Sequence, residues 1–572
     1  MKKALLLSIL FIMLAAGCDA IPEVLHVDES GAVVQQLSDL TIDPPGLVQD
    51  NTDLVSGSGN CAECHTGLKA AANACQGCHE DLVGDFSDIS FDTLWRASMM
   101  AHSAKDPYWQ ASVSTETAEF PELTQEIAER CSRCHMPLAH FDAIANGETP
   151  LILGQGFLDL AHELHDLAMD GVSCNLCHQI QRDGFGEPGS FSGQYVIDSE
   201  RRDFGDRVSF GPLPITEGYA KLMQLAIGYK PIPSGHSDDA ELCGTCHNLY
   251  TPYLNNAGEI VGEFPEQTVH LEWVNSSYAD ETCMDCHMPL VQDTPVSSLS
   301  TDSQSYMRLH TFTGANAFML NLLQENAEEI GITAEQTHMD GAIGRVESQL
   351  AFDANKEIRM GDVFSRDNTM TVEISLSNDN GHKRPTGFPS RRIWIHFKAM
   401  DANGEVFFES GAWDDNGYIQ GNDNDIDPAL YEPHYQVIDS PEQVQIYEAI
   451  MHNTENEVTT TLLRAAGYLK DNRLLPAGFP VDDPPEDIAP RGTVEQDEDF
   501  LPRTDMINYV LDTNGHPGPY TIEVELLYQS IGYRWAENLR KYSTPERDQF
   551  FHYFDAADRT PILVGVTRFT GE

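Results

Sequence analysis

Positive charge is scarce in this chain: Lys and Arg total 34 against 90 Asp plus Glu, a formal net charge of −56 over 572 residues. So acidic a surface repels phosphate backbones and excludes nucleic acid as a partner. It suits a solvated exterior in saline water, or the steering of a basic redox partner. Long apolar runs are scarce too, and outside the first 18 residues nothing approaches the ~20 apolar residues that cross a bilayer. Spare cysteine is absent. Of 13 Cys, 12 fall in six repeats of one short pattern and the last is Cys18. No thiol is left over for a structural disulfide, which excludes a disulfide scaffold.

The repeated pattern is Cys-x-x-Cys-His. It occurs as CAECH (Cys61, Cys64, His65), CQGCH (Cys75, Cys78, His79), CSRCH (Cys131, Cys134, His135), CNLCH (Cys174, Cys177, His178), CGTCH (Cys243, Cys246, His247) and CMDCH (Cys283, Cys286, His287). A zinc site or a redox dithiol also uses paired cysteines, but neither requires a histidine directly after the second one. With 21 His in 572 residues, six such histidines do not arise by accident. The pattern is the c-type haem attachment signal: two thiols form thioethers with the porphyrin, and the adjacent histidine becomes the proximal axial ligand. Six haem c groups are expected.

The chain opens MKKALLLSILFIMLAAGCDA, with Lys2 and Lys3 ahead of an apolar stretch that ends at Gly17-Cys18. That is an export signal rather than a membrane span. Small residues before a lone Cys resemble a bacterial lipobox, which implies cleavage before Cys18 and a diacylglycerol anchor on its thiol. The expected location is therefore exported and lipid-anchored, on a periplasm-facing membrane or the cell surface.

Four segments are expected: a signal over 1–18, a tether of low order over 19–58, a hexahaem domain over 59–354 and a β-domain over 355–572. The tether carries Pro22, Pro44 and Pro45 with scattered acids. Residues 313–354 show apolar spacings of three and four and read as helices. Beyond residue 355 the period becomes two, at Met370, Val372, Ile374 and Leu376, then in RRIWIHFKAM, a DANG turn, EVFFES, and Tyr520 to Tyr528. The fold class is thus α+β multidomain: a haem-packed, mostly short-helical and loop domain followed by an Ig-like β-sandwich, interrupted around 434–500.

Several phrases resemble bacterial multihaem c cytochromes related to the hydroxylamine oxidoreductase and octahaem class. They are LWRASMMAHSAKDPYW (94–109), GVSCNLCHQI (171–180), ELCGTCHNLYTP (241–252), EWVNSSYADETCMDCHMP (272–289) and LHTFTGANAFML (309–320). GHKRPTGFPSRRIW (381–394) and GYLKDNRLLPAGF (467–479) extend the likeness into the β-domain. The resemblance implies a haem-packed fold and electron transfer. Pentahaem nitrite reductases carry a CxxCK motif, which this chain lacks, and it has no seventh or eighth CxxCH.

A second axial ligand for each iron must come from elsewhere in the chain. His102, His236 and His310 resemble distal ligands of the family. His140 and His165 lie close to attachment motifs, and His270 precedes the EWVNSSYA phrase. His162, His338 and, from the β-domain, His382 are reserves, and Met100, Met136 and Met288 are thioether alternatives. Two neutral imidazoles give a low-spin iron whose potential is tuned by burial and hydrogen bonding. Asp415, Asp423, Asp425 and Asp427 are candidate oxygen ligands for Ca²⁺, without EF-hand spacing. The expected function is electron transfer between redox partners, donor and acceptor. One alternative is an oxidoreductase acting on a small nitrogen or sulfur compound at a five-coordinate haem. The β-domain could also serve docking or self-assembly.

Overall fold

The structure, a computed structural model, describes residues 25–27, 33–36, 46–69, 88–300, 303–351 and 357–571. Cys18 and the second motif (Cys75, Cys78, His79) lie outside them. No described helix is long and apolar enough to cross a membrane. The chain forms two compact units that are not the two linear stretches expected. The first comprises the described residues up to Thr245 together with Thr282–Gly314 and Met319–Val346; the second comprises Cys246–Glu281, Ala315–Phe318 and Glu347–Glu572.

The first unit has short helices and long connections. Five described attachment motifs are helical, CGTCH ending in the second unit: α1 (Ser58–His65), α2 (Thr124–His135), α3 (Cys174–Cys177), α4 (Ala240–His247) and α5 (Cys283–His287). Local chemistry sets the start of one of them. At α5 the Thr282 backbone N–H donates to Asp285 Oδ2 at 2.7 Å, half of a capping box. The longer helix Pro107–Glu119 has proline at its first position and Asp106 as its cap, accepting from the Tyr108 and Trp109 N–H groups at 2.8 and 3.3 Å.

The end of the expected tether is part of this unit. Leu54 and Val55 are fully buried, the Ser56 N–H donates to Asn175 at 2.8 Å, and Ser58 donates to Asp170 through both its N–H and its hydroxyl. Further upstream, Leu25–Val27 pairs antiparallel with Val33–Gln36. The helices expected over 313–354 form as Ala317–Glu325, Ala327–Ile330 and Gln336–Leu350.

The second unit contains seven strands of a two-sheet core: β1 (Ile358–Arg366), β2 (Thr369–Ser377), β3 (Arg392–Met400), β4 (Val406–Ser410), β5 (Thr504–Asp512), β6 (Tyr520–Gln529) and β7 (Ile562–Gly571). One sheet runs β1–β2–β5, with Val437–Ile438 beside β5; the other runs β4–β3–β6–β7. The period-two pattern places Met370, Val372, Ile374 and Leu376 on one fully buried face of β2. Burying each such side chain is worth about 1.5–3 kcal/mol. Phe397 of β3 stacks on Tyr509 of β5 with centroids 3.9 Å apart, so the two sheets pack face to face. The DANG turn is a true hairpin: Asp401 accepts from the Asn403 and Glu405 N–H groups, and Gly404 takes the φ of +78° that favours glycine.

Residues 246–281 belong with this unit for an electrostatic reason. Glu272, fully buried on the helix Val269–Val274, pairs with Arg473 at 3.0 Å and accepts from the Lys383 N–H and the Thr386 hydroxyl. Lys383 and Arg473 both pair with Asp471, at 2.7 and 2.8 Å. A desolvated charge is tolerable only when paired, so these side chains must come together.

Candidate haem-attachment and axial-ligand sites

A histidine that binds a metal through one ring nitrogen usually donates a hydrogen bond from the other, and that bond fixes the tautomer. Four proximal histidines show this arrangement. Nδ1 of His65 meets the Val296 carbonyl at 2.6 Å, His135 that of Ser103 at 2.8 Å, His178 that of Phe210 at 2.6 Å, and His287 that of Thr313 at 2.5 Å. A carbonyl can only accept, so Nδ1 carries the proton and the lone pair lies on Nε2. Burial lowers all four rings below the ordinary histidine pKa, His135 to about 4, which keeps them neutral as a metal requires. His247, at the end of α4, is exposed. On one face of His135 the indole of Trp109 stacks at 4.3 Å and 6°.

Among the expected distal ligands, His165 and His310 carry the same signature, with Nδ1 on the carbonyls of Phe157 (2.8 Å) and Arg308 (3.0 Å). His140 reaches it through a hydroxyl. Ser132 Oγ gives its hydrogen to the Ala128 carbonyl at 2.6 Å, so it accepts from His140 Nδ1 at 2.8 Å. His102 differs: it is buried, and neither ring nitrogen makes a hydrogen bond of good geometry, the Arg96 backbone being the polar group that interacts with it. Burial lowers its pKa to about 3. A buried imidazole so weakly satisfied by the polypeptide keeps a nitrogen available to an iron.

One pair has the spacing of opposed axial ligands. The rings of His178 and His310 lie 6.4 Å apart, centroid to centroid, and within 12° of parallel. Two metal–imidazole bonds of about 2 Å, plus about 1.1 Å from each nitrogen to its ring centre, give ~6.2 Å. Phe91 packs edge-on against His310 and against His65, with centroids 4.6 and 5.8 Å away. In ring spacing and tilt His178 and His310 therefore match a haem held between them.

Two expected ligands are placed differently. His236 accepts from the Ser234 hydroxyl at Nδ1 (2.6 Å) and donates from Nε2 to the Ile180 carbonyl (2.8 Å), so as placed it offers no nitrogen to an iron. Its position just ahead of CGTCH suggested a ligand; two local polar groups claim the ring instead. At His270, Asn248 Oδ1 accepts the Leu271 N–H, which turns the amide nitrogen toward His270 Nδ1 at 3.2 Å. Nδ1 is then the acceptor, the reverse of the arrangement at the other rings. In reserve, His162 Nδ1 accepts from the Leu164 N–H, and His382 Nδ1 faces its neighbour's carbonyl at 3.0 Å.

The Ca²⁺ expectation is not met by the acidic stretch. Asp425 is buried in a two-bond pair with Arg392, at 2.9 and 3.0 Å, and also caps the Ile419 N–H. Asp427 accepts from the Ala429 N–H. Asp415, Asp423, Asp425 and Asp427 do not form a ligand cluster among the described residues.

The attachment thiols show which motifs are neighbours, something sequence spacing did not reveal. Cys61 of the first motif is in side-chain contact with Cys174 of the fourth. Cys243 of the fifth is in the same contact with Cys283 of the sixth. The first contact is braced by the Ser56 and Ser58 bonds to Asn175 and Asp170. The second is braced by Arg308, which pairs with Asp238 at 2.8 Å and Asp285 at 3.0 Å.

No known family profile matches the chain, and no curated protein matches it either. Among solved structures it is similar to a penta-haem cytochrome c552 from Thermochromatium tepidum. The two share 16% sequence identity with a TM-score of 0.45, over 88% of this chain and 99% of that one.

Proposed function

We propose that this chain is an exported multihaem c-type cytochrome that carries electrons between redox partners through six haems, mainly with two histidine ligands each. The observation that carries the reading is the set of four proximal rings, His65, His135, His178 and His287, each locked by a remote carbonyl with its lone pair on Nε2, with His310 at an axial spacing from His178. When attached, the haems supply one-electron redox chemistry. The polypeptide fixes ring orientation, keeps the imidazoles neutral, and holds the first motif against the fourth and the fifth against the sixth. An electron path built this way does not follow chain order.

The finer parts of the reading rest on the sequence. Cys18 anchors the protein by lipid to a periplasm-facing membrane or the cell surface, and the charge of −56 favours donors and acceptors with basic docking faces. We read the sandwich as Ig-like because β1–β2–β5 matches the order A–B–E and β4–β3–β6–β7 the order C′–C–F–G. A catalytic alternative, with one five-coordinate haem open to a small nitrogen or sulfur compound, is favoured by one observation: the double engagement of His236 removes one histidine from the pool of second ligands. Two measurements test the proposal. The intact mass should rise by six haems, and the EPR spectrum of the oxidised protein should be low-spin throughout. Fewer haems in a fully matured sample refutes the count, and a high-spin signal that binds nitrite or cyanide in the resting protein moves the assignment to the enzyme.

A further inference from the structure

Arg207 is a buried cation without a counter-ion among the described residues. It begins the strand Arg207–Gly211 of the first unit and is only 5% exposed. Its Nη1 donates to the Thr52 carbonyl at 3.2 Å and to the Tyr229 hydroxyl at 3.1 Å, and its Nη2 to the Ile227 carbonyl at 3.3 Å. The guanidinium carbon lies 4.3 Å over the ring of Tyr229, itself fully buried. Nε is buried and has no hydrogen-bond partner. Among the described residues Arg207 makes no salt bridge, although this chain has 90 acidic side chains to choose from. Gly228, at a φ of +78°, keeps the room: a Cβ there would sit 2.8 Å from Nη2.

A guanidinium cannot shed its charge, and burying it unpaired is strongly unfavourable. Carbonyls, a hydroxyl and an aromatic face solvate it in part. They do not neutralise it. Three residues along the same strand, the Phe210 carbonyl holds His178 Nδ1 at 2.6 Å, so this strand borders a proximal ligand. A c-type haem brings its own carboxylates, the two propionates, to such a place.

We propose that Arg207 is the anchor of a haem propionate, with Nε as the donor and the fixed positive charge as counter-ion. This rests on the haem reading above. The carboxylate stays ionised beside the guanidinium, and the paired charge no longer favours the ferric iron.

The test uses the full mature protein with Arg207→Gln and Arg207→Lys. Intact mass counts the haems first, and a wild-type protein without them defeats the haem reading rather than this one. With all haems present in the Gln variant, one component of the potentiometric titration should move to lower potential and the others should not. The propionate bending band of one haem should change in resonance Raman. Lys keeps the charge but not the planar fork, so its potential should lie between wild type and Gln while the Raman band still changes. If Gln fails to mature, the Lys variant decides alone: an unchanged Raman band overturns the assignment. Unshifted potentials in a loaded Gln variant also overturn it. So does a saturable response of wild type to added chloride or nitrite that the variant loses, because Arg207 would then hold a small free anion.

Discussion

Replacing Arg473 by alanine tests the claim that residues 246–281 are bound to the β-unit by charge. Arg473 is 7% exposed and spans two acids, Glu272 and Asp471, that are fully buried. Removing one partner of a buried pair costs about 3–5 kcal/mol, chiefly because the other charge is left unpaired. Here Asp471 keeps Lys383 at 2.7 Å, while Glu272 loses its only ion pair among the described residues and retains hydrogen bonds. The lower end of that range, about 3 kcal/mol, is therefore the expectation. At about 2–4 °C per kcal/mol for a unit of 150–250 residues, the calorimetric Tm of the second unit should fall by about 6–12 °C. Burial alone would raise the Asp471 carboxyl, but the Arg473 and Lys383 charges reverse this and hold it well below the usual carboxylate range. A depressed pKa gives stability that is present above the unfolded value of about 3.9 and lost as pH falls through the folded one, so wild type and variant should converge only in strong acid. Arg503→Ala, which removes an exposed pair with Asp379, serves as the control. A fall of under 3 °C at pH 7, or one no larger than the control's, would refute the reasoning.

His310→Ala should leave haem attachment intact and convert one haem to high-spin, seen by EPR, since His178 loses its opposed ring; an unchanged spectrum removes His310 from the ligand set. His102→Ala should do the same at another haem, with a wild-type spectrum as the contrary result. His236→Ala should leave the spin count unaltered because its ring is already claimed on both sides, and a new high-spin signal would show that the ring turns to an iron in the mature protein. His396 bridges Glu525 and Glu409 at 3.0 Å each; burial lowers its pKa, but the two carboxylates outweigh this and leave it raised. A raised folded pKa gives stability that is complete below about pH 6.5 and lost as pH rises through the folded value, so the gap between wild type and His396→Asn should shrink above neutrality, and a gap that widens there would contradict the assignment.

The parts of the fold governed by local periodicity were legible in the chain. The alternation at Met370 to Leu376 sets one buried strand face, and DANG makes its hairpin through Asp401. The extent of the units was not legible, because what joins them is not periodic. EWVNSSYA, GHKRPTG and GYLKDNRLLP stand out as phrases, but that Glu272, Lys383, Asp471 and Arg473 meet in one buried cluster depends on chain returns of about a hundred residues. The order at the tether's end is not legible in the sequence for the same reason. Asn175 and Asp170, far along the sequence, satisfy the polar groups of Ser56 and Ser58 and let Leu54 and Val55 be buried.

The axial ligands divide along a similar line. The proximal histidines are fixed by covalent neighbours, so spacing alone identifies them. A distal histidine is defined by which of its nitrogens carries the proton, and that is decided by whatever polar group the fold sets beside Nδ1. His236 and His310 both lie within about thirty residues of an attachment motif and have equal claims by sequence. At His310 the group beside Nδ1 is a carbonyl, which leaves Nε2 with its lone pair. At His236 it is a hydroxyl that donates, and the Ile180 carbonyl then takes the Nε2 proton. The difference lies in second-layer atoms, most of them backbone, whose chemical identity is the same at every residue. Apart from Ser234, two residues ahead of His236, no residue pattern encodes it, and the spin state of each variant is the property through which it becomes visible.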